Sequence, residues 1–222
     1  MEIGNEWWSL LGPQEVNKDR RVRTLGLAPT VRSFNDLAVP GLGGVWFGKQ
    51  VFLATIGVVV AERARLTGSR VQNIEVANAI EATACWFSLK GNAWNSDPRL
   101  RGGTKLPRQA DLTFASVSRP SFYVTQPMRM ATVQPLLALG LVDASAERFN
   151  AFGSSRLGVE LVEAFCDGID PCHYSNTALS ILVHWVEVGD KSLHPSVAKA
   201  LSLLTAPVKA AQELLRSALM QG

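Results

Sequence analysis

The chain has 222 residues, of which 47% are hydrophobic and 18% charged, and a net charge of +3. That is enough apolar material for a sizeable core, which excludes whole-chain disorder. Three cysteines exclude a disulfide framework and fit a reducing compartment. The charge is unevenly spread: residues 1–132 hold 16 Lys/Arg against 10 Asp/Glu, and residues 133–222 hold 6 against 9. A basic front and an acidic back suggest two surfaces with different partners.

Residues 1–42 are expected to be an irregular segment packing on the body or on a partner. Trp7 and Trp8 form an apolar plug with Leu10 and Leu11, a basic cluster runs from Lys18 to Arg23, and Pro29, Pro40 and three glycines interrupt the rest. Glu2 and Glu6 stand where a signal peptide needs positive charge. Val45 to Leu66 is predicted as a helix whose middle is apolar all round, and hence central. Its longest apolar run, Val51 to Ala61, falls short of the about 20 residues of a membrane span. A cytoplasmic protein with no membrane partner is the expectation.

Ser69 and Gln72 have capping-box spacing and open a second helix that stops near Gly91. Ile74, Ala77, Ile80, Ala84 and Phe87 line its buried face, which sets Glu75 and Glu81 towards the other side. Residues 91–124 lack helical periodicity, and Leu112 to Val117 alternates as a short strand would. Thr125 then caps a third helix ending near Gly140, and Arg148 to Phe152 reads as a second short strand. Further helices are predicted from about Arg156 to Cys166, Asn176 to Val188, Pro195 to Leu204 and Pro207 to Met220. The chain is mainly α, a helical domain with a few short strands. It divides into residues 1–42, a helical core with a long basic loop over 43–124, and a C-terminal helical part over 125–222.

Arg99, Arg101, Lys105, Arg108 and Arg119 crowd that loop around Gly102 and Gly103, opposed within it by Asp111. Cations on a glycine-bearing loop can track a phosphate backbone or meet an acidic partner. Arg129 adds to this footprint. Trp7, Trp8 and Phe34 have no evident helix face to bury them and are candidate docking anchors. Cys166, Cys172, His173 and His184 lack the knuckle spacing of a zinc site, so no metal is assigned. Glu160 and Glu163 look like an exposed face rather than an acid/base couple. Without a nucleophile elbow or phosphate loop, no catalytic residue, cofactor or small-molecule substrate is assigned.

Residues 125–166 resemble the second half of a winged helix. A helix ends in Leu139-Gly140-Leu141-Val142, a polar turn leads to a strand, and Ser155-Arg156-Leu157-Gly158 opens the closing helix, where such folds often carry threonine, two residues and glycine. In that resemblance Gln126, Arg129, Thr132 and Gln134 stand on the recognition helix. The order of features over about residues 40–166 also resembles the small middle component of bacterial three-component anti-phage systems, built around an SMC/Rad50-like ATPase and an effector. The resemblance implies a non-catalytic adaptor subunit, its partners a larger ATPase or effector, with non-specific DNA contact. The alternative is a stand-alone winged-helix DNA-binding transcriptional regulator.

Overall fold

The apolar run after Lys49, in the first predicted helix, is buried, and the other elements assemble around it. A computed structural model describes residues 26–169 and 177–221. Helix α1 spans Leu27–Ala38, α2 Gly48–Leu66 and α3 Asn73–Gly91. Along α2 every residue from Val51 to Ala61 is buried. A helix apolar on all sides needs neighbours on all sides. They are α3, helix α6 (Arg156–Asp167), helix α7 (Ala178–Val188) and a strand described below.

The tightest contact is with α3. A Cβ on Gly57 would stand 2.5 Å from the Ala77 Cβ and 2.7 Å from its Cα. Glycine on one helix and alanine on the other therefore set the α2–α3 distance. The first turn of α2 is closed by Gln50, whose Oε1 accepts from the Trp46 and Phe47 amides at 2.7 and 3.2 Å. At the start of α3 the cap lies later than Ser69 and Gln72 suggest. There the Glu75 carboxylate accepts from the Gln72 amide at 2.8 Å, and the helix begins at Asn73.

The mainly α class holds, with differences in detail. Residues 27–38 are helical rather than irregular, because their apolar residues recur at helical spacing. The strand expected over 112–117 is a single helical turn, α4 (Phe114–Val117), flanked by an isolated bridge from Thr113 to Ser192. The helix expected from Thr125 breaks into a 3-10 turn, Met128–Ala131, and α5, Val133–Ala138. Pro135 explains the break: it has no N–H and its ring excludes a helical carbonyl four residues earlier, at Ala131. The strand expected over 148–152 lies slightly later. Residues Phe149–Ala151 form a 3-10 turn, and β2, Phe152–Ser154, pairs antiparallel with β1, Val142–Ala144. The closing pair is α8, Pro195–Leu201, and α9, Lys209–Gln221.

Lys49 ties this pair to the core. Its buried ammonium donates to the carbonyls of Ala200, Ser202 and Thr205 at 2.5, 2.6 and 2.6 Å. Ala200 is in the last turn of α8, whose carbonyls lack helical partners, and Ser202 and Thr205 lie in the segment that follows it. Burial lowers the lysine's pKa to about 8. Among the described residues no helix is long and apolar enough to cross a membrane.

Because the α2–α3 contact leaves no room for a side chain, Gly57→Val should destabilise the fold by about 3 kcal/mol, the upper range for overpacking. Gly91→Ala, where an added Cβ meets nothing within 4 Å, should stay within about 1 kcal/mol of wild type. Denaturant midpoints of the two variants check the contrast.

Candidate functional site

The basic loop leaves the end of α3 and returns to the body at Tyr123. It is pinned rather than free. The Trp86 indole donates to the Pro107 carbonyl at 2.9 Å, and the Trp185 indole to the Leu112 carbonyl at 3.2 Å. Leu100 and Leu106, ahead of the first anchor, and Leu112, at the second, are buried. A loop held at intervals this way presents its cations from fixed positions.

Those cations differ in availability. Arg101, Lys105, Arg108 and Arg119 are exposed. Arg99 is engaged: its Nε and Nη2 donate to Asp97 at 3.0 and 2.8 Å, and its guanidinium lies 5.0 Å from the centre of the Phe47 ring. Hydrogen bonds from Arg99 hold the Asp97 carboxyl down to about 2. Arg129 sits apart from the loop cluster. Its Nε donates to Asn78 Oδ1 at 2.6 Å, and its guanidinium lies 5.4 Å from the Phe149 ring centre. Burial lowers its pKa, with Glu81 opposing.

The anchor beneath the loop is Glu81, which is buried rather than turned outward. One carboxylate oxygen accepts from the Tyr123 hydroxyl at 2.8 Å and the Met128 amide at 2.6 Å, the other from the Arg129 amide at 2.9 Å. Cys85 Sγ lies 3.1 Å from the same hydroxyl. One buried carboxylate thus joins α3 to the return of the loop and to the 3-10 turn before α5. Desolvation raises the Glu81 pKa against the opposing hydrogen bonds from Arg129, Met128 and Tyr123. Burial pushes the Cys85 thiol up to about 12, so it is a packing group rather than a nucleophile. Glu81 shares a helix face with Ala77, Ala84 and Cys85, and that apolar setting was the signal for its burial.

Two features bear on the winged-helix resemblance. Ser155 Oγ accepts from the Gly158 amide at 3.0 Å and donates to the Gly140 carbonyl at 2.7 Å. A Cβ on Gly158 would lie 2.1 Å from the Leu141 carbonyl oxygen, so the start of α6 needs glycine to sit on the end of α5. The start of α5, however, meets residues 41–44. A Cβ on Gly41 would lie 2.9 Å from the Gln134 Cβ and one on Gly44 3.0 Å from the Ala131 Cβ, so Gly41 packs on the first turn of α5 and Gly44 on the 3-10 turn before it. Thr132 is buried, Arg129 is occupied, and Gln126 and Gln134 are exposed.

The chain matches no known family. No curated protein and no solved structure is significantly similar to it either.

Phe34 is 66% exposed on α1, beside Leu27, Val31 and Leu37 at 55–79%. Trp7 and Trp8 lie outside the described residues, as do Cys172 and His173. Cys166 is buried and His184 is exposed on α7. Glu160 and Glu163 are exposed and pair with Arg156 and Arg63 at 2.9 and 2.7 Å.

The Glu81 clamp carries a pH signature. Its folded pKa lies above the ordinary value of 4.5. The stability it contributes is therefore full below pH 4.5 and is lost as pH rises through the folded value. Denaturant midpoints of the wild type should fall across that window, and Glu81→Gln should flatten the fall. Glu81→Ala strands three buried donors and should cost about 3–5 kcal/mol at neutral pH.

Proposed function

We propose that the chain is a non-catalytic adaptor subunit of a bacterial multiprotein complex, docked through α1. The observation that carries this reading is the apolar stripe of α1. Leu27, Val31 and Phe34 recur at spacings of four and three, Leu37 lies beside them, and all four are largely exposed. A solvated helix of twelve residues that kept these side chains in water would gain nothing from them. A partner groove that takes an amphipathic helix reads this pattern of anchors. The resemblance to the middle components of three-component defence systems makes an SMC/Rad50-like ATPase or its effector the partner class to test first.

The runner-up, a winged-helix DNA regulator, draws on the β1–β2 hairpin and the Ser155–Gly158 cap. A recognition helix must enter a groove with the residues of its N-terminal end. Here α5 has six residues and Gly41 packs against Gln134 and Pro135 in its first turn. That favours protein docking over base reading. Arg101, Lys105, Arg108 and Arg119 remain available for phosphates or an acidic partner surface.

The test is native co-purification of the wild type and of a Leu27→Asp/Phe34→Asp double variant. A partner retained by the wild type should be lost from the variant, with each anchor contributing about 2 kcal/mol and the thermal midpoint unchanged. A variant that keeps its partner, or one that unfolds, would show that the stripe is not the docking face.

A further inference from the structure

A cavity of about 580 Å³ opens between the end of α3 and the basic loop. That volume lies within the range of small-molecule sites. Its apolar wall is made by Leu89, Leu100, Val124 and Trp94. Ala93 and Trp94 both adopt left-handed backbone, at φ 50° and 59°. Two consecutive non-glycine residues in this region are strained, and the strain sits at the cavity wall. The surrounding contacts hold it in place. The Trp94 amide donates to the Leu89 carbonyl at 2.7 Å, and its ring meets the Trp86 ring edge-on with centroids 6.2 Å apart.

The polar lining has a definite charge. The carboxylate of Asp97 is consumed by Arg99, which donates to it from its backbone amide, Nε and Nη2. Arg101 also lines the cavity, and among the described residues no carboxylate pairs with it. Next to it Gly102 has φ +85°, and a Cβ there would lie 2.9 Å from Leu106 and 3.0 Å from Tyr123. Only glycine lets the chain turn there, which fixes Arg101 at the rim. Thr104 stands beyond the turn. Asn95 and Gln126 supply amides that both donate and accept.

We propose that this cavity binds a nucleotide: a flat heteroaromatic ring against Trp94 and the leucines, its hydrogen-bonding edge met by Asn95 and Gln126, and its phosphate by Arg101 and Thr104. The charge excludes a cation, the apolar wall favours more than inorganic phosphate, and the amides suit a base better than a hydrocarbon. The same chemistry is offered by a free mononucleotide or by the terminal nucleotide of a strand tracked by Lys105 and Arg108.

Titration calorimetry on the full chain tests this with AMP, adenosine, inorganic phosphate, and a short single-stranded oligonucleotide with and without a 5′-phosphate. AMP should bind saturably, and at least ten-fold more tightly than adenosine or phosphate. Arg101→Ala should weaken AMP at least ten-fold with an unchanged thermal midpoint, and Arg156→Ala, on the exposed face of α6, should change nothing. Trp94→Phe should weaken AMP less than Trp94→Ala does. Competition by the phosphorylated oligonucleotide alone would identify a strand end as the source, and competition by neither oligonucleotide a free nucleotide. No saturable AMP binding, equal binding of phosphate, or AMP affinity indifferent to Arg101→Ala would overturn the proposal.

Discussion

The close approach of α2 and α3 at Gly57 and Ala77 is the constraint on which the rest of this fold depends. It lets a helix with apolar residues on every side sit between α3, α6, α7 and β2. Interiors are packed to crystal density, so a separation set at one point propagates along both helices. The far end of α3 thereby fixes where Trp86, Leu89 and Trp94 stand, and with them the start of the basic loop.

Polar side chains inside this apolar frame serve as anchors rather than as chemistry. Glu81 gathers Tyr123 and two backbone amides, and Lys49 gathers three carbonyls at the end of α8. Each joins segments far apart in the chain. A buried charge without such partners would cost several kcal/mol, about 3–5 when one partner of a pair is removed. Two indoles do the same for the loop at Pro107 and Leu112. The outcome is a long connection pinned at intervals, with Lys105, Arg108 and Arg119 on its outside, a cavity on its inside and Arg101 at the cavity rim.

What could be read in the sequence follows from how local each determinant is. Periodicity and caps located α2, α3 and α6, because the 3.6-residue repeat and the Ser155 cap act within a few residues. The short segments were harder. Leu112 to Val117 alternates like a strand, yet among the described residues its one strand-like pairing is the Thr113–Ser192 bridge, and α4 forms instead. Pro135 divided a helix that the apolar pattern alone would continue. The hydrogen-bond partners of Glu81, Lys49 and Arg129 lie 42 or more positions away, which no local window contains. The exposed charges of the basic loop were legible, but the capture of Asp97 by Arg99 and the cavity behind Arg101 were not.

In the proposed reading the body is the support, and the apolar stripe of α1 is the docking face. Hydrogen exchange followed by mass spectrometry, on the isolated chain and on the proposed complex, tests that division most directly. In the isolated chain the α2 and α3 amides should exchange slowest and those of residues 27–38 fast. In the complex, protection should rise at residues 27–38. Protection of residues 27–38 equal to that of α2 in the isolated monomer, or protection gained in the complex at residues 142–154 but not at 27–38, would contradict the account.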